Sequence, residues 1–143
     1  MHRVWGSLRN AAMLRSLLAF FTLLTTLLLL ASCGKTAHLQ GKALYVTHCN
    51  NCHLEEGQGI RQLIPPLAGA DYLRDHPVEV VRGIRHGMQG PMVVNGVTYN
   101  HEMPGNIELT EFQIVNILNY VHTSWGNDVP LVTVEQVRGY LAE

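Results

Sequence analysis

Hydrophobic positions change rhythm several times along this chain, and each change marks an element. From Leu17 to Ala31 the sequence is an apolar run. From about Leu39 the rhythm turns helical, with Gly41, Tyr45 and Cys49 recurring every four residues on one face. Gly57 and Gly59 break the helix into a loop, and Ile64-Pro65-Pro66-Leu67-Ala68-Gly69 continues it. Helical spacing resumes after Asp75-His76, where Pro77 suits a first turn and Val78, Val81, Ile84 and Arg85 keep the period as far as Gly87. Val93 to Tyr99 reads as a β-hairpin, because Asn95-Gly96 fits a two-residue type I′ turn. Thr110-Glu111-Phe112-Gln113 is a capping box. Beyond it Ile114, Ile117, Leu118, Val121 and Trp125 form one apolar face that Gly126 ends. A second box, Thr133 to Gln136, predicts a short helix near Val134 to Leu141. The pattern predicts an all-α domain carrying one short hairpin.

The N-terminus has the three parts of an export signal. Arg3, Arg9 and Arg15 make a basic region without acids, the apolar run follows, and Leu30-Ala31-Ser32-Cys33 places small residues before a cysteine. This ending resembles a bacterial lipobox, which implies cleavage before Cys33 and acylation of its thiol. The alternative is an uncleaved transmembrane helix, since Ser16 to Gly34 is free of charge and close to the ~20 residues that a spanning helix needs. Either reading places the globular part outside the cytoplasm, on the periplasmic side, and ties it to a membrane. Residues 33 to 143 carry seven Lys/Arg against eleven Asp/Glu, a net charge of −4. That balance argues against a nucleic-acid partner.

The candidate chemistry sits in Cys49-Asn50-Asn51-Cys52-His53. Two thiols at i and i+3 can reach the two vinyl groups on one edge of a porphyrin and form thioethers, and the next residue is carried under the iron. A zinc ribbon needs a second Cys or Cys/His pair, and only one other cysteine exists. A thiol–disulfide oxidoreductase would set the pair beside a βαβ pattern, and none is visible. The expectation is one haem c, bound covalently through Cys49 and Cys52, with His53 as an iron ligand. With Cys33 taking lipid, no cysteine remains for a disulfide. At this size the apolar core is modest, so a buried haem is expected to complete it.

From Leu39 to Gly126 the sequence resembles the class I, monohaem cytochromes c, which share the glycine–aromatic–cysteine stripe leading into CxxCH. The resemblance implies a small helical fold around the haem, in which Gly41 permits the first and last helices to cross and Ile117 and Tyr120 face Gly41 and Tyr45. It implies that a proline carbonyl accepts the second ring N–H of the ligand histidine, which sets its orientation and basicity, and that a leucine two residues on packs against the haem. Pro65 and Leu67 match, with Pro66 an alternative by one residue. It also implies a sixth ligand at Met103, from the Met103-Pro104 pair ahead of the last helix. Met88, Met92, His86 and His101 are the rivals, His101 foremost. Arg82 and Arg85 are candidates for a haem propionate or for a solvated face. The hairpin and Ser124-Trp125-Gly126-Asn127 look most like the haem c domains attached to periplasmic copper nitrite reductases, dehydrogenases and haem–copper oxidases. Gly105-Asn106 departs from the family, where a hydrophobic residue often follows Met-Pro.

The expected plan is a signal peptide over 1–32, a linker over 33–38, a haem domain over 39–126 and an extension over 127–143. The implied function is one-electron transfer with a respiratory complex, dehydrogenase, reductase or oxidase as redox partner. Two protein ligands leave no open iron position, which favours a carrier over an enzyme. The alternatives are a haem-based sensor or peroxidase with a displaceable methionine, and a fixed electron-transfer subunit of a larger complex.

Overall fold

The computed structural model describes residues 13–15, 17–25 and 33–143, with side chains from residue 38 onward in the last stretch. The chain divides into two units, Met1–Thr36 and Ala37–Glu143. In the first, residues 13–15 and 17–25 are helical and exposed. Among the described residues no helix is long and apolar enough to cross a membrane. Arg3, Arg9, the Leu30-Ala31-Ser32 end of the candidate signal and the Cys33 side chain lie outside the described residues.

The elements are α1 (Cys33–His48), α2 (Asn50–His53), α3 (Tyr72–Asp75), α4 (Pro77–His86), β1 (Met92–Val94), β2 (Val97–Tyr99), α5 (Glu111–Thr123) and α6 (Val134–Ala142). The stretch expected as a linker, 33–38, is helical and belongs to α1. After Gly34 nothing in Lys35-Thr36-Ala37-His38-Leu39-Gln40 stops a helix, so the period seen from Leu39 extends upstream. The single turn α3 was not predicted, because four residues are too few for a helical period to register.

A side chain at Gly41 would drive its Cβ into the Asn116 carbonyl oxygen and to within 2.7 Å of the Tyr120 Cβ, so α1 and α5 cross backbone to backbone. Beside that crossing Tyr45 and Tyr120 pack with ring centroids 5.5 Å apart, and Trp125 joins them at 5.1 Å from Tyr45. Buried Tyr45 donates its hydroxyl to the Leu54 carbonyl at 2.6 Å, bracing the chain just past the Cys motif.

Both capping boxes form. Gln113 N–H donates to Thr110 Oγ1 at 3.3 Å while Thr110 N–H donates to Gln113 Oε1 at 2.8 Å, and Thr133 and Gln136 repeat the exchange. Such caps contribute about 1 kcal/mol each. The end of α5 differs from the prediction: the helix stops at Thr123, and Trp125 turns left-handed at φ 53. Polar side chains take the last carbonyls there, Ser124 Oγ donating to Tyr120 O at 2.6 Å and Asn127 Nδ2 to Val121 O at 2.8 Å.

The hairpin pairs Met92 with Tyr99 and Val94 with Val97 around a turn whose Asn95 and Gly96 both have positive φ, 50° and 75°, as type I′ requires. The Asn95 side chain accepts from Asp71 N–H at 3.0 Å and the Asp71 carboxylate accepts from Asn95 N–H at 2.8 Å, which ties the turn to the entrance of α3. Residues 127–143, expected as an extension, share the core of the second unit. Helix α6 packs on α4 and α5 and buries Val137 completely, and the Asn119 amide exchanges two hydrogen bonds with the Val132 backbone.

Candidate functional site

Helix α2 is one turn, and one turn sets the site's spacing. His53 N–H donates to Cys49 O at 2.9 Å, which puts His53 on the Cys49 side of the turn. His53 is buried, Cys49 half-buried and Cys52 exposed. All three line one cavity of about 420 Å³ with mostly apolar walls, among them Leu67, Ile117, Leu118 and Val121. That volume suits a cofactor rather than a small ion.

The His53 ring is held from behind. Its Nδ1 lies 3.2 Å from the Pro65 carbonyl. A carbonyl only accepts, so Nδ1 carries the proton and Nε2 keeps its lone pair for a metal. The loop after α2 builds this acceptor. Gly59 N–H donates to His53 O at 3.0 Å, and Leu67 and Ala68 donate to Gly57 O at 2.7 and 2.9 Å. Gly59, at φ 63, backs directly onto Pro65, where a Cβ would lie 2.6 Å from the carbonyl oxygen. The geometry selects Pro65 over Pro66 as the acceptor; Pro66 and Leu67 line the cavity.

Burial pushes the His53 pKa down, outweighing the rise from the Pro65 carbonyl, and so holds the ring neutral. Burial, followed by the neighbouring Cys52, pushes the Cys49 thiol up to about 11. A disulfide oxidoreductase needs the reverse, a lowered thiol.

The cavity's other donors come from the segment between α4 and α5. Met88 and Met103 face each other in a β-bridge, Met88 N–H donating to Met103 O at 2.9 Å and Met103 N–H to Met88 O at 3.0 Å. Met88, Met92, His101 and Met103 all line the cavity, and His86 does not. The Met88 side chain packs on Gly83, its sulfur lying where a Cβ there would approach within 2.5 Å. His101 is exposed, whereas Met103 is half-buried. Neither Arg82 nor Arg85 reaches the cavity. Arg82 is exposed, and Arg85 donates to the Ile107 carbonyl at 3.4 Å.

Sequence reasoning missed Asn127. Its amide donates to Leu67 O at 3.0 Å and accepts from Gly69 N–H at 2.7 Å, while also holding Val121 O. It thereby fastens the end of α5 to the segment that supplies Pro65. The signal was the Ser124-Trp125-Gly126-Asn127 ending, which carried a resemblance but no role.

Paired thiols at the edge, an imidazole with a free nitrogen, thioethers and apolar walls together fit a haem. The family model for cytochrome c matches residues 39–125. The chain belongs to the cytochrome c family. As a cytochrome c it binds haem c covalently through Cys49 and Cys52. It is 37% identical over 99 residues to the cytochrome c subunit of a quinone alcohol dehydrogenase from Komagataeibacter europaeus, a match covering 68% of this chain and 21% of that subunit. It is 35% identical over 98 residues to a cytochrome c-552 of Thermus thermophilus, covering 64% of each. This cytochrome thus spans about a fifth of the length of the dehydrogenase subunits, matched at 21% in two species and 19% in Gluconobacter oxydans.

Proposed function

We propose that this cytochrome c is a one-electron carrier whose iron is held by His53 and Met103. The observation that carries the proposal is the convergence of both side chains on the cavity that the attachment cysteines border. Bound haem supplies the Fe(III)/Fe(II) exchange. The Pro65 carbonyl holds the His53 proton at Nδ1 and makes Nε2 the more basic donor. Leu67, Ile117, Leu118 and Val121 give the cavity apolar walls, and a site of low polarity disfavours the extra positive charge of the ferric state. The Met103 thioether, a soft donor, pushes the same way, so the potential is positive. A potentiometric titration should fit a single one-electron step, with a slope of about 59 mV per decade. The spectra should be six-coordinate and low-spin in both oxidation states. An open iron position in either state would instead support the sensor or peroxidase reading.

The carrier is exported and tethered through lipid on Cys33, a reading supported by Arg3, Arg9, Arg15 and the small residues before that cysteine. Several acyl chains give stable attachment where one alone is marginal. The mass of the mature N-terminus tests this directly: an acylated Cys33 is expected, and an intact Met1 would mean an uncleaved transmembrane anchor. The redox partner is a respiratory oxidoreductase. A second reading, a fixed electron-transfer subunit of such a complex, is favoured by the similarity to alcohol dehydrogenase cytochrome subunits.

A further inference from the structure

Gly105 directly follows the Met103-Pro104 pair, and the structure gives it a use. A Cβ on Gly105 would collide with the Gly87 nitrogen and the His86 carbonyl carbon, and would lie 2.7 Å from the Arg85 carbonyl oxygen. A Cβ on Gly87 would in turn lie 2.8 Å from the Met103 oxygen and 2.9 Å from the Gly105 nitrogen. Every atom met is backbone, so no side chain can swing aside. Gly105 is not among the glycines with positive φ, so its conformation would accept alanine and only the close approach forbids one. On either side of the seam the chain is bonded to the end of α4. The Met88–Met103 bridge lies on one flank, and Asn106 N–H donates to Ile84 O at 2.9 Å on the other.

We propose that Gly105 is the positioning residue for the sixth ligand: by letting residues 103–106 lie backbone to backbone on residues 84–88, it holds the Met103 thioether in place. The inference rests on the reading that Met103 binds the iron. A thioether is a weak ligand, and its retention depends on how small a fraction of molecules have the loop lifted. An external ligand binds only that open fraction, so its apparent affinity rises in proportion to it.

The test compares holoproteins of the full chain. In Gly105→Ala the ferric sulfur–iron charge-transfer band should weaken, and imidazole should bind about tenfold more tightly. Gly139→Ala is the control, because a Cβ there meets nothing within 4 Å, and it should change neither readout. If Gly105→Ala lowers the thermal midpoint but keeps the wild-type band and imidazole affinity, the glycine is merely structural and the proposal fails. If the variant yields no holoprotein, amide exchange in the wild type decides. Met103 and Asn106 amides exchanging as slowly as that of Ile117 support the seam, and exchange as fast as that of Gly90 overturns it. A band that survives Met103→Ala would overturn the ligand reading itself. A band lost in Met103→Ala but intact in Gly105→Ala overturns the seam alone.

Discussion

Met103→Ala is expected to abolish the ferric sulfur–iron charge-transfer band and to lower the potential by at least ~120 mV, two decades at about 59 mV each for one electron. The sign follows from the ligand: a thioether stabilises Fe(II) over Fe(III), and its loss removes that preference. The vacated position should then take water, carbon monoxide or peroxide, turning a closed carrier toward ligand-binding chemistry. Met88→Ala and Met92→Ala are the controls. The Met88 side chain packs on Gly83 and its bridge to Met103 is made by backbone atoms, so its loss should leave the band in place. Met92 lies in β1 opposite Tyr99 and packs against the core. A wild-type protein without the sulfur–iron band, whose low-spin ligation is lost in His101→Ala, would transfer the assignment to the histidine, and a band kept in Met103→Ala but lost in Met88→Ala or Met92→Ala would transfer it to that methionine.

Gly41→Ala is the second large effect, and its sign is the diagnostic. Inside an ordinary helix, replacing glycine by alanine stabilises by roughly 1 kcal/mol. At Gly41 the added carbon meets the Asn116 backbone oxygen and Tyr120 Cβ, so α1 and α5 must separate. Overpacking of this kind costs about 1–3 kcal/mol, and the upper end is expected because a main-chain atom is struck. Cys49 and His53 follow directly on α1, so the separation also disturbs haem attachment. Holoprotein yield should drop, and the thermal midpoint should fall by roughly 10 °C. Gly139→Ala, in open space on α6, should go the other way by a few tenths to about 1 kcal/mol. A stabilised Gly41→Ala would refute the close crossing.

What could be read from the sequence was whatever depends on neighbours within a few residues. The CxxCH spacing, both capping boxes, the Asn95-Gly96 turn and Pro77 at a helix start are local chemistry, and the fold contains each of them. The first helix crossing was legible only through the family resemblance, since the helical period put Gly41 and Tyr45 on one face without saying what that face meets. Other contacts between distant segments were not legible. The use of Gly105 could not be read, because the backbone it lies against, at residues 85–87, is distant in the chain. Pro65 and Pro66 could not be separated until the loop folded back and set the Pro65 carbonyl 3.2 Å from the His53 Nδ1. The end of α5 was placed at Gly126 from a periodic Trp125, but Ser124 and Asn127 capture carbonyls that the helix would have used. The packing of α6 carries no local mark beyond its cap, since Val137 becomes core only when α4 and α5 are beside it.

The Asn127 clamp bears on the speed of electron exchange as well as on shape. Adding or removing one electron changes the charge at the iron, and any shift of the ligands that follows adds to the activation barrier. The His53 imidazole has little room for such a shift. Its acceptor carbonyl is backed by Gly59, and the chain just beyond, at Leu67 and Gly69, is bonded to a side chain anchored on the end of α5. A site preset in this way has its dipoles in place before the charge changes. With His53 as the proposed iron ligand, a small reorganisation energy is expected on the histidine side, and self-exchange between oxidised and reduced copies should slow when Asn127 is lost, even where the potential stays the same.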